Sequence, residues 1–404
     1  MLRASLCFFV LAWSLVAHAL PPISARDVDF TGNHPMRNVD GPYADPEVTW
    51  SSSGTEAAPA ISIDIDGNLS VKFEHYNNSD KSGTGVFQVY FAELLLPDST
   101  TVPLQVNGNS GASASVSIPA YGSFWSPNFQ ISGWDPWIHG GQLRIGYLVD
   151  TTGIPGLVGY GMTREWRFLV NLEPPVGHMA TVWHELLEET TAYAWGEDDP
   201  TQAGKDLTFG LYYAQRFAYP GQENLTSNWF DESNSFKLST LLRTSGWVTG
   251  NCYDVAVYLH LLFESQGLSN EPLLRLCQRG PYDLRAFLSN DICPIGSDST
   301  IPSNYNPIAW TNHCVVLFDG KIFDACLALQ KAPDLSGYWN PPASWTSTQH
   351  WYVDHGQEFT GVAKRFIQPS EIISFDPPQF NFDLHLPHEM TQSEDTTFIF
   401  GGIL

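Results

Sequence analysis

Basic residues are scarce in this 404-residue chain: 19 Lys and Arg stand against 43 Asp and Glu, for a formal net charge of -24. No Lys/Arg cluster is available to neutralise a row of phosphates, which argues against nucleic acid and anionic membrane surfaces as partners. Charge of either sign is thin, at 15% of residues, while aromatics make up 13% and there are 33 Gly and 28 Pro. So few charges among so many turns and rings suit an all-β or mixed exported protein better than a helical bundle. No stretch reaches the roughly 18 apolar residues of a membrane-spanning helix. The apolar run Leu6 to Val16 follows Arg3 and precedes Ala17-His18-Ala19, the small-x-small pattern of a signal-peptide cleavage site. Residues 1–19 are therefore expected to be removed and the chain secreted, to an extracellular or periplasmic space. A Gly-rich phosphate loop, a serine nucleophile elbow and an internal repeat are all missing, so no cofactor is implied. The oligomeric state is left open.

What is present divides the chain by pattern. Residues 20–58 are rich in Pro, Ser, Gly and Asp without periodicity and predict a lead-in of loops. Residues 59–173 alternate: Ile61-Ser62-Ile63-Asp64-Ile65, a turn at Asp66-Gly67, then Leu69-Ser70-Val71-Lys72-Phe73 predict a hairpin. Further strands are expected at 86–96, 101–106, 114–118, 143–149 and 165–171, together an antiparallel β-sandwich. Within it Tyr121, Phe124, Trp125, Phe129, Trp134 and Trp137 read as core and loop-packing rings, with a glycan-stacking platform as the alternative. Pro174-Pro175 marks a boundary. Beyond it, helices are expected at 180–195, 205–217 and 235–243, and strands near 273–277 and 313–324, which makes the second unit α+β. Residues 280–310 read as an insertion, and 331–404, Pro- and aromatic-rich with a weak strand at 362–367, as an extension wrapping one of the two units. Asn68-Leu69-Ser70, Asn77-Asn78-Ser79 and Asn224-Leu225-Thr226 are glycosylation sequons in a eukaryotic host.

The second unit is organised around Gly250-Asn251-Cys252-Tyr253-Asp254. Apolar residues at 255, 256, 259, 262 and 263 recur at helical steps, predicting an amphipathic helix with Cys252 in its first turn and Gly267 at its C-terminus. Unpaired N–H groups at a helix start favour thiolate over thiol, the form a nucleophile needs. Downstream, His313 opens the strand Cys314-Val315-Val316-Leu317-Phe318, and Asp319-Gly320 turns the chain into Lys321-Ile322-Phe323-Asp324. A two-residue loop sets 318 opposite 321, 316 opposite 323 and 315 opposite 324, so Asp324 shares a face with His313. A thiol at a helix start, an imidazole on a strand and a carboxylate on the next is the nucleophile, base and orienter set of acyl transfer. Trp247, five residues before the cysteine, packs in the core or walls a substrate pocket.

These motifs, from about residue 176 to 330, resemble the transglutaminase-like superfamily of cysteine proteases and acyltransferases. The resemblance implies a papain-like α+β core after the sandwich, with Cys252 as nucleophile, His313 as general base and Asp324 as its orienter. It implies attack on amide bonds of protein or peptide substrates through a thioester. Water as acceptor would make a hydrolase, an amine a transglutaminase. The alternatives are a non-catalytic scaffold and a carbohydrate-binding wall or matrix protein.

Loss of Cys7 with the signal peptide leaves Cys252, Cys277, Cys293, Cys314 and Cys326. In an oxidising compartment four of these are expected to close two bridges, with Cys252 kept as the thiol. The hairpin register puts Cys314 and Cys326 on opposite faces, so each is expected to pair with Cys277 or Cys293. His350, Asp354 and His355 lack the helical context or a third spaced ligand of a zinc site, and no metal is expected.

Overall fold

The structure is a computed structural model describing residues 22–34, 36–37, 48–51, 60–214, 216–218, 229, 236–268, 274–276, 287–289, 292–295, 308–310, 313–319, 321–330, 339–345 and 372–374. Beyond residue 268 the described side chains are those of Ile295, Val316, Phe318, Asp319 and 323–326. The expected signal peptide, Asn224, the strand at 362–367 and the His350 cluster lie outside the described residues.

The first unit contains β1 (Ile23–Thr31), β2 (Met36–Arg37), β3 (Val48–Ser51), β4 (Ala60–Asp64), β5 (Leu69–Asn77), β6 (Gly83–Leu95), β7 (Thr101–Val106), β8 (Ala112–Ile118), β9 (Gly122–Trp125), β10 (Phe129–Ser132), β11 (His139–Asp150) and β12 (Tyr160–Asn171). All but β2 form one eleven-stranded sheet, in the order β3-β1-β5-β10-β7-β6-β11-β12-β4, with β8 beside β6 and β9 beside β5. The sheet curls on itself at β10–β7, where only Ile131↔Val106 and Ser132↔Gln105 pair. Rings from the two halves then meet inside: Phe73 lies 5.4 Å from Phe87 and 4.4 Å from Tyr147, and Phe30 lies 5.0 Å edge-on to Trp166. Strict alternation drives this. Along the middle of β6, Gly85, Phe87 and Val89 are buried while the residues between them face outward.

Two expectations for this unit are corrected. Residues 20–58 are not all loop, because β1 pairs antiparallel with β5 over most of its length. A bulge between Ala25 and Asp27 breaks its alternation, which hides the strand from a period-two reading. The segments at 61–65 and 69–73 are both strands but do not pair as a hairpin. β4 runs parallel to β12, from Ala60↔Arg167 to Asp64↔Asn171, while β5 pairs with β1, β9 and β10. Both strands turn an apolar face to the same core, and alternation does not choose the partner. Asp66-Gly67 thus carries the chain from one half of the curled sheet to the other.

The second unit contains β13 (Val182–Trp183), α1 (His184–Tyr193), α2 (Pro200–Tyr213), β14 (Phe217–Ala218), α3 (Leu238–Arg243), β15 (Val248–Thr249), α4 (Cys252–Ser265), β16 (Leu274–Leu276), β17 (Phe287–Ser289), β18 (Ile292–Pro294), β19 (Ile308–Trp310), β20 (His313–Phe318), β21 (Lys321–Gln330), β22 (Trp339–Trp345) and β23 (Ile372–Ser374). Helix α2 starts earlier than its apolar pattern because Asp199 caps it, accepting from the Gln202 N–H at 2.7 Å, with Pro200 in the first turn. A mixed arrangement of short helices against the sheet β18-β21-β20-β16-β23 results, with β22 also on β21. Strands β22 and β23 come from the expected extension and complete this sheet.

Helix α4 is the axis of the unit, packed against α1, α2, β20 and β21. It was expected to be amphipathic, but every residue except Tyr253 is buried, so its polar side chains face protein rather than solvent. Its C-terminus is closed by Gly267 at φ 73°, with Leu268 N–H bonded to the Phe263 carbonyl at 2.9 Å. Among the described residues no helix is long and apolar enough to cross a membrane.

Candidate active site

The backbone leading to Cys252 is fastened at successive residues. The Val248 N–H donates to the Arg216 carbonyl at 3.0 Å, and the Gly250 N–H to the Ala218 carbonyl at 3.2 Å. The Trp229 indole N–H donates to the Thr249 carbonyl at 2.8 Å. Gly250 is needed for contact rather than conformation: a Cβ there would sit 2.5 Å from the Phe217 ring. Asn251 then caps the helix, accepting from the N–H groups of Tyr253 at 2.9 Å and Asp254 at 3.1 Å. Asp254 Oδ2 accepts in return from the Asn251 N–H at 3.0 Å, closing a capping box. Cys252 is thereby fixed in the first turn of a buried helix, with 6% of its surface exposed.

The hairpin that faces this helix has the register expected from its turn: Phe318↔Lys321, Leu317↔Ile322 and Val316↔Phe323, with Asp319 at φ 49° in the turn. Phe323 packs edge-on against Phe263 of α4, with ring centroids 5.1 Å apart. Asp324 is buried, and its Oδ1 accepts from the Cys326 N–H at 2.9 Å. Burial holds the Cys326 thiol well above its ordinary value, and the neighbouring charges of Asp324, Cys252 and Asp254 push it the same way. The start of α4 and the middle of β21 thus bring two thiols and two carboxylates into one electrostatic cluster. His313 begins β20, opposite Leu276 of β16; its side chain lies outside the described residues.

Two sequence expectations change here. Cys326, expected in a disulfide with Cys277 or Cys293, is a buried thiol, as is Cys252. Counting cysteines to close bridges overlooked that a small sulfur on this strand packs against the start of α4. The side chains of Cys277, Cys293 and Cys314 lie outside the described residues. Trp247 is not a core residue: 53% of its surface is exposed, on the approach to β15.

Other polar groups on α4 escaped the sequence reading. The Tyr258 hydroxyl donates to Glu189 Oε2 at 2.6 Å, and Glu189 lies 3.5 Å from the Arg216 guanidinium. Burial raises the Glu189 carboxyl, and Arg216 only partly opposes it. His260 and Glu264 meet His178 from the segment after Pro175. In the aromatic stretch of the first unit, Phe124, Phe129 and Trp134 are core, whereas Tyr121 and Trp125 are exposed. Trp125 borders an open groove with Ser115, Ser117, Ser123 and Ser126, and the Lys72 ammonium sits 4.9 Å from its ring centre.

No family model and no curated protein matches the sequence. Among solved structures, similarity is found to AggA, the major subunit of aggregative adherence fimbriae type I from Escherichia coli, at 10% identity and TM-score 0.19, covering 28% of this chain and 89% of that one. The Escherichia coli chaperone DraB gives 13% identity and TM-score 0.17 over 28% of this chain and 52% of that chain. A family 123 glycoside hydrolase from Clostridium perfringens gives 11% identity and TM-score 0.18 over 52% of this chain and 40% of that chain. Scores this low carry no argument about fold or activity.

Proposed function

We propose that the protein is an exported cysteine hydrolase or acyltransferase of transglutaminase-like type, acting on amide bonds of proteins or peptides. The observation that carries the reading is that Cys252, held in the capped first turn of α4, and the buried Asp324 of β21 both lie within electrostatic reach of the Cys326 thiol. In this reading the Cys252 thiolate attacks the amide carbonyl, and the oxyanion is held by the Cys252 backbone N–H. His313 protonates the leaving amine, a thioester forms, and water or a second amine releases the acyl group. Asp324 orients the imidazole. The register supports that pairing, since carried one step past Val316↔Phe323 it sets Asp324 opposite Val315, whose side chain shares a face with His313 two residues away. Exposed Trp247 supplies a wall for the substrate chain.

Paired substitutions test the assignment. Asp324→Asn should lower turnover of a peptide amide by about two orders of magnitude or more, as loss of an orienting acid does in other triads. Asp254→Asn should cost far less activity, because its carboxylate serves the helix cap. Equal losses would show that Asp324 is not the orienter. A binding role for the first unit is the second reading. It is favoured by the exposure of Tyr121 and Trp125 beside a serine-lined groove, and would appear as glycan binding lost in Trp125→Ala.

A further inference from the structure

Away from the thiol, the later turns of α4 carry a second convergence of chemistry-bearing side chains. His260 and Glu264 are one helical turn apart and point the same way, with His260 Nε2 3.3 Å from Glu264 Oε1. His178 reaches the same carboxylate from the turn Gly177–Met179, with Nδ1 2.9 Å from each carboxylate oxygen. Donor atoms of the three residues all lie within 4.8 Å of one another. His260 and Glu264 are buried, and the His178 side chain keeps 17% of its surface exposed. The turn is built onto the carboxylate: the His178 N–H donates to Oε2 at 3.1 Å, and the Val176 N–H to the Glu264 backbone carbonyl at 3.0 Å. Gly177 has φ 57°, and a Cβ there would fall 2.1 Å from Oε1, so this position has no room for a side chain.

We infer that His178, His260 and Glu264 form a binding site for a divalent transition metal, with zinc as the best match. Two imidazole nitrogens and one carboxylate oxygen are a recurrent zinc donor set, bound at about 2.0–2.2 Å, which places tetrahedral donors about 3.3 Å apart. The two imidazole-to-carboxylate spacings, 2.9 and 3.3 Å, already lie close to that figure, and the two imidazole nitrogens, within 4.8 Å of each other, close on the ion by side-chain rotation. Oε2 is held by the His178 N–H, an outer contact of the kind that aims a ligating carboxylate, while Oε1, approached by both imidazoles, is the oxygen that would take the ion in place of those contacts. The exposed edge of His178 leaves a path for a water molecule as fourth ligand. Such an ion would tie the segment after Pro174-Pro175 to the helix that carries Cys252. The cysteine lies eight residues from His260, about 12 Å along the helix, so the site is distinct from the thiol and independent of its chemistry.

The full chain, dialysed against a chelator and then equilibrated with Zn²⁺, should retain one equivalent by elemental analysis and melt at a higher temperature. Co²⁺ should give the visible absorption of a four-coordinate site. His178→Ala and Glu264→Gln should each weaken metal binding by more than the roughly tenfold that loss of an outer-shell partner costs. Circular dichroism confirms that each variant is folded. His178→Ala changes a partly exposed turn, and so remains informative if a change inside α4 prevents folding. A Cys252→Ala/Cys326→Ala chain should keep the equivalent, which excludes capture by thiols. Failure of the wild-type chain to bind any of the offered ions, or unchanged binding in folded His178→Ala, would overturn the assignment and leave a hydrogen-bonded trio.

Discussion

Asp254 and Asp324 are both buried carboxylates near Cys252, and their hydrogen bonds separate their roles. Asp254 closes the capping box with Asn251, so Asp254→Ala should destabilise the fold by about 1 kcal/mol, the usual worth of a cap, measured by denaturant titration. Asp324 instead accepts from the Cys326 N–H on its own strand, away from the helix cap. His75 shows the same dependence on surroundings. It is wholly buried among Phe87, Phe124, Tyr147 and Tyr160. Burial, helped by the charge of Arg164 and only partly opposed by the Phe73 backbone, lowers its pKa from 6.5 to about 4. The folded state therefore holds this imidazole neutral. Its contribution is complete above pH 6.5 and is lost as the pH falls towards 4, up to about 3 kcal/mol. His75→Phe should flatten that part of the stability–pH profile, and an unchanged slope would assign the acid sensitivity elsewhere. Asn77 is likewise decided by its contacts. Its amide donates to the carbonyls of Lys81 at 2.6 Å and Pro119 at 2.8 Å. In a eukaryotic host, exposed Asn68 should carry glycan and Asn77 should not, as read by peptide mapping.

Elements were legible where one local signal sufficed. Helix α4 announced itself through the apolar steps at 255, 256, 259, 262 and 263 and through Gly267 at its end, and β7 was expected at 101–106. The β20–β21 register followed from a two-residue turn alone. Signals that depend on distant chain were not legible. The bulge in β1 erased its period, and the pairing of β4 with β12 rather than β5 is a choice made by the whole sheet. His260 and Glu264 carried no signal in the sequence, because their partner His178 is 86 residues from Glu264. The approach to α4 is equally a matter of contact. Gly250→Ala would push a methyl into the Phe217 ring and displace the turn that holds Cys252. We expect a loss of about 1–3 kcal/mol with a fall in activity, and a neutral result would show that the turn has room to spare.

At the scale of the molecule, two cores divide the work. One lies inside the curled sheet; the other gathers α1 to α4 against the β20–β21 hairpin, and Ile65 packs against both. The candidate thiol stands in the second core, at the helix start nearest the hairpin. With a net charge of -24, the surface offers little to anionic ligands. The account rests on one sulfur being the nucleophile while its neighbour is not, because burial and adjacent carboxylates keep Cys326 protonated. Treating the native, folded chain with a substoichiometric peptide electrophile and mapping the adduct by mass spectrometry tests this most directly. The account predicts a single adduct on Cys252, abolished in Cys252→Ala and slowed in Asp324→Asn. An adduct distributed over all the cysteines, or one formed first on Cys326, would contradict it.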